Sequence, residues 1–282
     1  MKCKNCGADI TKCPKRDCPT CGEDIGYPHV REVEEPEEVA ALEKRYVVAF
    51  EEARKVSADS ALQNFENAIK DSCAVVNVDL DYLYHFVKNN NTLYSTYDLQ
   101  VQGQTRKTAE RQDDRSRRVA ESVLFGEYGK EIRYAALFLD GSGLKSYGDF
   151  TIKLREIAIA KRAVALEKNS FHFLQEHDLK FGKGVPPGYR ATWSSRHKLA
   201  VAKHAKDISA HVPPGDYVRI LLSSDGDRAK DCFIEVHIYG AFDNQAIEAV
   251  QARTPKKKSQ EFAFIATIKD YLKRAGKAWI EA

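Results

Sequence analysis

Phe233-Ile234-Glu235-Val236-His237-Ile238-Tyr239-Gly240 alternates two kinds of side chain along one short run. Successive side chains of an extended strand point to opposite faces, so Ile234, Val236 and Ile238 form one apolar face and Phe233, Glu235, His237 and Tyr239 the other. The apolar face predicts a strand packed on a core. The opposite face carries an acid, and a carboxylate buried without a partner is costly, so Glu235 must face a cleft or meet a partner. The competing reading of Glu235 is an edge-strand carboxylate facing water.

Outward from this run, β-branched and aromatic stretches between glycine and proline punctuation predict strands at 132–139, 149–154, 163–166, 217–223, 232–239 and 261–268. Helices are expected at 155–161, 193–205 and 244–252. Strands outnumber helices and are not regularly separated by crossover helices, which favours an α+β domain with a mostly antiparallel sheet over residues 125–282.

Residues 31–124 read as an acidic linker and a helical region. Glu32, Glu34, Glu35, Glu37 and Glu38 surround Pro36, a combination suited to the positive end of a starting helix. Val39, Leu42, Tyr46, Val47 and Phe50 then recur at helical spacing. A second helix is expected from Ser60 as N-cap through Leu62, Phe65 and Ile69. The 73–78 run is apolar and β-branched, a short helix is expected over 79–88 with Asn89, Asn90 and Asn91 as its stop, and a charge-rich helix over 105–124 carries Arg115, Arg117 and Arg118.

The first 30 residues have another character. Cys3 and Cys6, then Cys18 and Cys21, form two Cys-x-x-Cys pairs, each followed by a glycine, Gly7 and Gly22. Two residues between thiols let both sulfurs reach one ion at about 2.3 Å, and a second pair completes a tetrahedron. A small rubredoxin-like zinc ribbon over residues 1–30 is the expectation, with Cys3, Cys6, Cys18 and Cys21 as ligands and Zn2+ in a structural role. Ile10, Ile25 and Tyr27 are far too few apolar residues to order this segment unaided. Cys13 competes with Cys18 for a ligand place, and His29 lies just beyond. The other reading of these cysteines is an oxidised disulfide module. No apolar secretory segment and no run of about 18 apolar residues is present, so a cytoplasmic protein without a membrane span is expected.

The net charge of +3 argues against a wholesale polyanion binder but leaves basic patches in the ribbon, between Arg106 and Arg118, and at Lys256, Lys257 and Lys258. Cys73 and Cys232 lie in apolar runs and read as buried thiols. The scattered His172, His177, His197, His204, His211 and His237 nominate no second metal site.

Three further stretches bear on chemistry. Arg133 and Tyr134 open a strand that feeds Asp140-Gly141-Ser142-Gly143, a turn whose amides can approach an anion closely, or an ordinary hairpin turn. Ser170 lies in Glu167-Lys168-Asn169-Ser170-Phe171-His172-Phe173 and reads alternatively as a turn residue. Thr192 or Ser194 in Thr192-Trp193-Ser194-Ser195 reads alternatively as a helix N-cap, and Arg190 and Arg196 are candidate anion clamps.

Over 125–250 the order of these pieces resembles the ADP-ribosyltransferase superfamily, in which an early strand gives an Arg or His, a middle segment a Ser or Tyr, and a late strand the catalytic Glu. Glu235-Val236-His237-Ile238-Tyr239 looks like the late strand and Arg133 like the early arginine, with Ser170 or the 192–195 run as the middle element. The resemblance implies NAD as substrate. Glu235 is then the carboxylate beside an oxocarbenium-like ribose, Arg133 the ligand of ribose or pyrophosphate, and Ser170 or Ser194 the brace of Glu235. Tyr147 or Phe171 would stack on nicotinamide, and Tyr134, Gly141, Gly143, Arg190 and His237 complete the implied NAD contacts. The chain departs from the pattern in two places: Phe233 and His237 flank Glu235 where some members carry an acidic pair, and the 132–139 strand has no histidine.

The leading expectation is therefore an NAD-dependent ADP-ribosyltransferase acting on a protein or nucleic-acid acceptor, in the manner of a bacterial or phage toxin or defence effector. The rival is a non-enzymatic zinc-ribbon protein that binds nucleic acid through the ribbon and the Arg106 to Arg118 stretch. A zinc nuclease ranks last, because no compact His-Asn-His or paired-carboxylate motif is present.

Overall fold

The computed structural model describes residues 1–11, 13–89, 92–94, 111–253 and 260–281, with only the backbone of 111–117 and 260. Arg106 and Lys256 to Lys258 lie outside these residues, as do the start of the 105–124 helix and Asn90 and Asn91.

After the ribbon come α1 (Pro28–Val33) and α2 (Pro36–Lys55), each opened by a proline whose missing amide costs nothing in a first turn. α3 (Asp59–Lys70) buries Leu62, Phe65 and Ile69 on one face. Ser60 falls inside its first turn, and Ala58 occupies the N-cap. There follow β1 (Cys73–Val78), α4 (Leu80–Lys88), α5 (Arg111–Phe125), β2 (Ile132–Phe138), β3 (Phe150–Leu154), α6 (Glu156–Ile159) and β4 (Ala163–Leu166). The chain continues through α7 (Ser170–Glu176), β5 (Arg190–Thr192), α8 (Arg196–His204), α9 (Tyr217–Leu221), β6 (Glu235–Tyr239), β7 (Ile247–Ala252), α10 (Gln260–Arg274) and β8 (Ala278–Glu281).

The strands form one open sheet in the order β5-β4-β6-β2-β1-β3-β7-β8. Every neighbouring pair is antiparallel except β7 and β8, so the fold is α+β with a mixed, mostly antiparallel sheet. β1, from the segment read as mainly helical, lies inside this sheet between β2 and β3.

Three sequence expectations are corrected. Residues 217–223 are not a strand: Tyr217–Leu221 is α9, with Tyr217 and Leu221 buried four positions apart. The 261–268 stretch is the front of α10, where Ile265, Ile268 and Leu272 are buried along one helical stripe. Residues 244–252 are not a helix: a single 3₁₀ turn at Asn244–Ala246 leads into β7.

The two faces of the sheet differ in kind. On the first, Ala135, Leu137, Val76, Ile152, Ala165, Val236 and Ile238 join residues of α2, α3, α4, α8 and α10 in the main core. On the second, Ile132 and Leu166 pack with α5 and α7, and Val75, Ala136 and Phe138 pack with Leu144 and Phe233. The strand register puts Asn77, Thr151, Gln251, Glu235 and His237 on this second face as well, all of them buried. Buried polar groups need partners, so this face is where the sheet carries specific interactions.

Candidate functional site

The ribbon consists of two copies of one turn. Cys3 N–H donates to Ala8 O at 2.8 Å and Gly7 N–H to Cys3 O at 2.9 Å; Cys18 and Gly22 repeat this with Glu23 O and Cys18 O, both at 2.8 Å. Gly7 and Gly22 have φ of 74° and 73°, left-handed values that glycine adopts without a Cβ penalty. Folding brings the ligand atoms of Cys3, Cys6, Cys18 and Cys21 within 4.8 Å of one another. The cross-pairs Cys3–Cys21 and Cys6–Cys18 are each 3.7 Å apart. A tetrahedron with Zn–S arms of about 2.3 Å has edges of about 3.8 Å, so the four sulfurs fit zinc.

Amides of Cys21 and Thr20 pull the Cys18 thiol down to about 6, which favours the thiolate that a cation needs. Cys6, although it accepts from the Ala8 amide, is pushed up to about 12 by the neighbouring Cys21 sulfur. A bound cation would relieve that crowding of sulfurs. Cys13 stands outside the cluster, its Sγ facing Lys15 O and Asp17 O. His29 is buried in the main body and is not a ligand.

The second centre lies on the second face of the sheet, where β6 is flanked by β4 and β2. Glu235, His237 and Ser170 are 5%, 2% and 4% exposed. Ser170 begins α7, capped by the Asn169 side chain, and donates both its backbone N–H, at 2.8 Å, and its hydroxyl to Glu235 Oε2. His237 Nε2 is 3.0 Å from the same oxygen and 3.1 Å from Ser170 Oγ. Asn169 Nδ2 donates to Glu235 Oε1 at 3.4 Å. The rings of Phe125 and Tyr134 meet the His237 imidazole edge-on, at 4.9 and 5.4 Å. Glu235 thus faces neither bulk water nor an open cleft: it is a buried acid satisfied by donors, the partnered alternative its alternation allowed.

An open cleft of about 810 Å³ lies next to this cluster, lined among others by Phe125, Tyr128, Arg190, Glu32 and Glu38. Phe125 borders both, lining the cleft and meeting the His237 ring. Arg190 pairs with Leu166, which pairs with Glu235, so its side chain shares their face of the sheet. Burial opposes the Arg190 charge, yet the carboxylates of Glu38 and Glu32 hold its pKa above the ordinary value.

Other nominated residues are not brought here. Arg133 pairs with Ile238 and therefore projects from the opposite face to Glu235; its guanidinium donates to Tyr94 O and Lys130 O, and burial lowers its pKa. It cannot share a ligand with Glu235 in this sheet. The Ser194 hydroxyl bonds that of Thr192 at 2.9 Å, not Glu235. Asn77 fills the concavity of the Gly141–Gly143 turn, accepting from Leu144 N–H and donating to Ser142 O, and a Cβ on Gly143 would lie 2.4 Å from Asn77 Oδ1. That turn is clamped by the protein's own side chain rather than open to phosphate. Tyr147 packs beside Arg228, and Arg196 is engaged by Ser72 and backbone carbonyls. Phe171 is 40% exposed. Cys232, read as buried, is exposed, whereas Cys73 is half-buried and its thiol is pushed up to about 11 by burial.

Sequence reasoning missed Asn169 and Phe125. An Asn-Ser pair ahead of an apolar helix is a capping signal that could have placed Asn169; Phe125 carries no such mark. Among the described residues no helix is long and apolar enough to cross a membrane. No protein-family model and no curated protein matches this chain.

Proposed function

We propose that the second face of the sheet holds an ADP-ribosyl-transfer centre with Glu235 as its carboxylate. The observation that carries this reading is the double donation of Ser170 to Glu235 Oε2, with His237 at 3.0 Å, because a carboxylate aimed by fixed donors stabilises a cationic ribose without reorganising. In the reaction the C–N bond between ribose and nicotinamide breaks, its electron pair leaves with the ring and neutralises the pyridinium, and C1′ becomes oxocarbenium-like. An acceptor oxygen or nitrogen then bonds C1′ and gives its proton to Glu235. Phe125 lines the cleft and meets the His237 ring, so a movement of that ring would open a way from the cleft toward Glu235.

The test is incubation with labelled NAD and cell lysate, followed by separate protease and nuclease digestion. Label on one macromolecular class is expected, and Glu235→Gln should lower it by about a hundredfold or more with the fold intact. Neither label nor nicotinamide release, or undiminished activity in the variant, overturns the reading.

A second reading rests on Lys2, Lys4 and Lys15, which are exposed on the ribbon. They would let the zinc module contact phosphate backbone, giving binding that weakens steeply as salt rises. Absence of binding at low salt removes it.

A further inference from the structure

α1 is six residues long, and two of its residues, His29 and Arg31, tie it to different parts of the protein. Toward the ribbon, the Arg31 guanidinium, 7% exposed, donates from Nη2 to Cys13 O at 2.6 Å and from Nη1 to Gly26 O, to Lys15 O at 3.2 Å and to Ile25 O at 3.5 Å. Toward the sheet, His29, 1% exposed, places Nε2 at 3.3 Å from His237 O and 3.2 Å from Arg162 O. Two carbonyls around one ring nitrogen fix the proton on Nε2. The His29 ring also stacks on Tyr239 at 5.9 Å, and Tyr27 meets the same ring at 5.2 Å. Arg162 in turn donates to Tyr239 O and Ala241 O. The outer half of β6 is thus held by residues that reach it from the ribbon and α1.

We infer that metal in the four-cysteine cluster sets the position of β6, with Arg31 and His29 as positioning residues that carry the constraint from the ribbon to His237 and Glu235. The carbonyls that satisfy Arg31 keep their places only while the ribbon is folded. The ribbon's own core is Cys3, Ile10 and Cys18 with three partly buried neighbours, which is too little to order it without an ion. Loss of the ion scatters those carbonyls, opens the Arg31 guanidinium to water and removes the tie between α1 and the ribbon. α1 then relaxes, and His29 leaves the His237 carbonyl. This coupling does not depend on which reaction, if any, the second face performs.

The experiment is hydrogen exchange read by mass spectrometry on the full chain, with zinc bound and after chelation. Peptides spanning β6 and residues 1–27 should exchange about tenfold faster or more without the ion, while α3 keeps its protection. Arg31→Ala should expose β6 to the same degree with its zinc content unchanged, and His29→Ala should expose β6 while leaving residues 1–27 protected. Faster exchange confined to residues 1–27 overturns the inference, as does loss of protection in α3 together with β6. Purified protein that neither holds nor takes up zinc overturns it too. Nicotinamide release plays no part in this readout, so the transferase reading stands or falls separately.

Discussion

Ser170 gives Glu235 two donors from one residue, its backbone N–H and its hydroxyl, and so fastens the start of α7 to β6. The relationship makes Glu235 a hub whose removal strands several groups at once, whereas removal of the hydroxyl strands none. Ser170→Ala should therefore cost about 1–2 kcal/mol. Glu235→Ala, which leaves the Ser170 amide and the His237 ring facing a void, should cost about 3 kcal/mol or more. Urea denaturation of both variants checks the order, and an equal or smaller loss for Glu235→Ala would mean that the carboxylate is not the hub.

Arg133 and Glu235 leave the sheet on opposite sides, which separates a stabilising role from a catalytic one. Arg133→Gln should lower stability by about 1–3 kcal/mol through its lost carbonyl contacts. Nicotinamide release per folded molecule should stay unchanged, whereas Glu235→Gln should lower it by about a hundredfold or more. Initial rates on protein matched for folded fraction decide between them.

Acid should weaken the molecule through His29. Burial is the main reason its pKa falls from 6.5 to about 3, with the nearby His237 adding to it. Between those values the unfolded chain binds a proton that the folded chain refuses, so stability present above pH 6.5 is lost as pH falls toward 3. Burial also lowers His204 and His197, which adds to the trend in the same direction. In His29→Gln the dependence of unfolding free energy on pH should flatten by about one proton between pH 6 and 4. An unchanged slope in urea titrations would place the titration elsewhere.

Metal content should follow the geometry of the sulfurs. Cys18→Ser should abolish stoichiometric zinc, and Cys13→Ser should keep it, since Cys13 Sγ faces backbone carbonyls outside the cluster. Elemental analysis of the purified variants is the measurement; retention of zinc by the Cys18 variant would show that another residue completes the site.

Local pattern was enough where one face of an element meets the core and the other does not. The 233–239 alternation placed Glu235 and His237 on one side of β6, as the strand register has them, and the paired cysteines announced the four-cysteine cluster. Pattern misled where both readings bury the same residues. Tyr217 and Leu221 are buried four apart on a short helix, a spacing that a strand reading also tolerates because both positions fall on one of its faces. In α10 the deciding residue, Leu272, lies beyond the window that suggested a strand. β7 hides its period because five of its six residues are buried, the mark of a strand covered on both sides. Arg133 was misplaced for another reason. Its side of the sheet depends on the register between β2 and β6, a pairing across about a hundred residues that no local window contains.

The position of β6 also bears on synthesis. It fills the slot between β4 and β2, both of which precede it in the chain, so on the ribosome these two strands emerge with their facing edges unpaired. Until the last sixth of the polypeptide arrives, the sheet is two separate ribbons of backbone offering bare amides and carbonyls to any stray strand. A nascent chain stalled before Glu235 should therefore be the species most prone to clump and the one most in need of a chaperone.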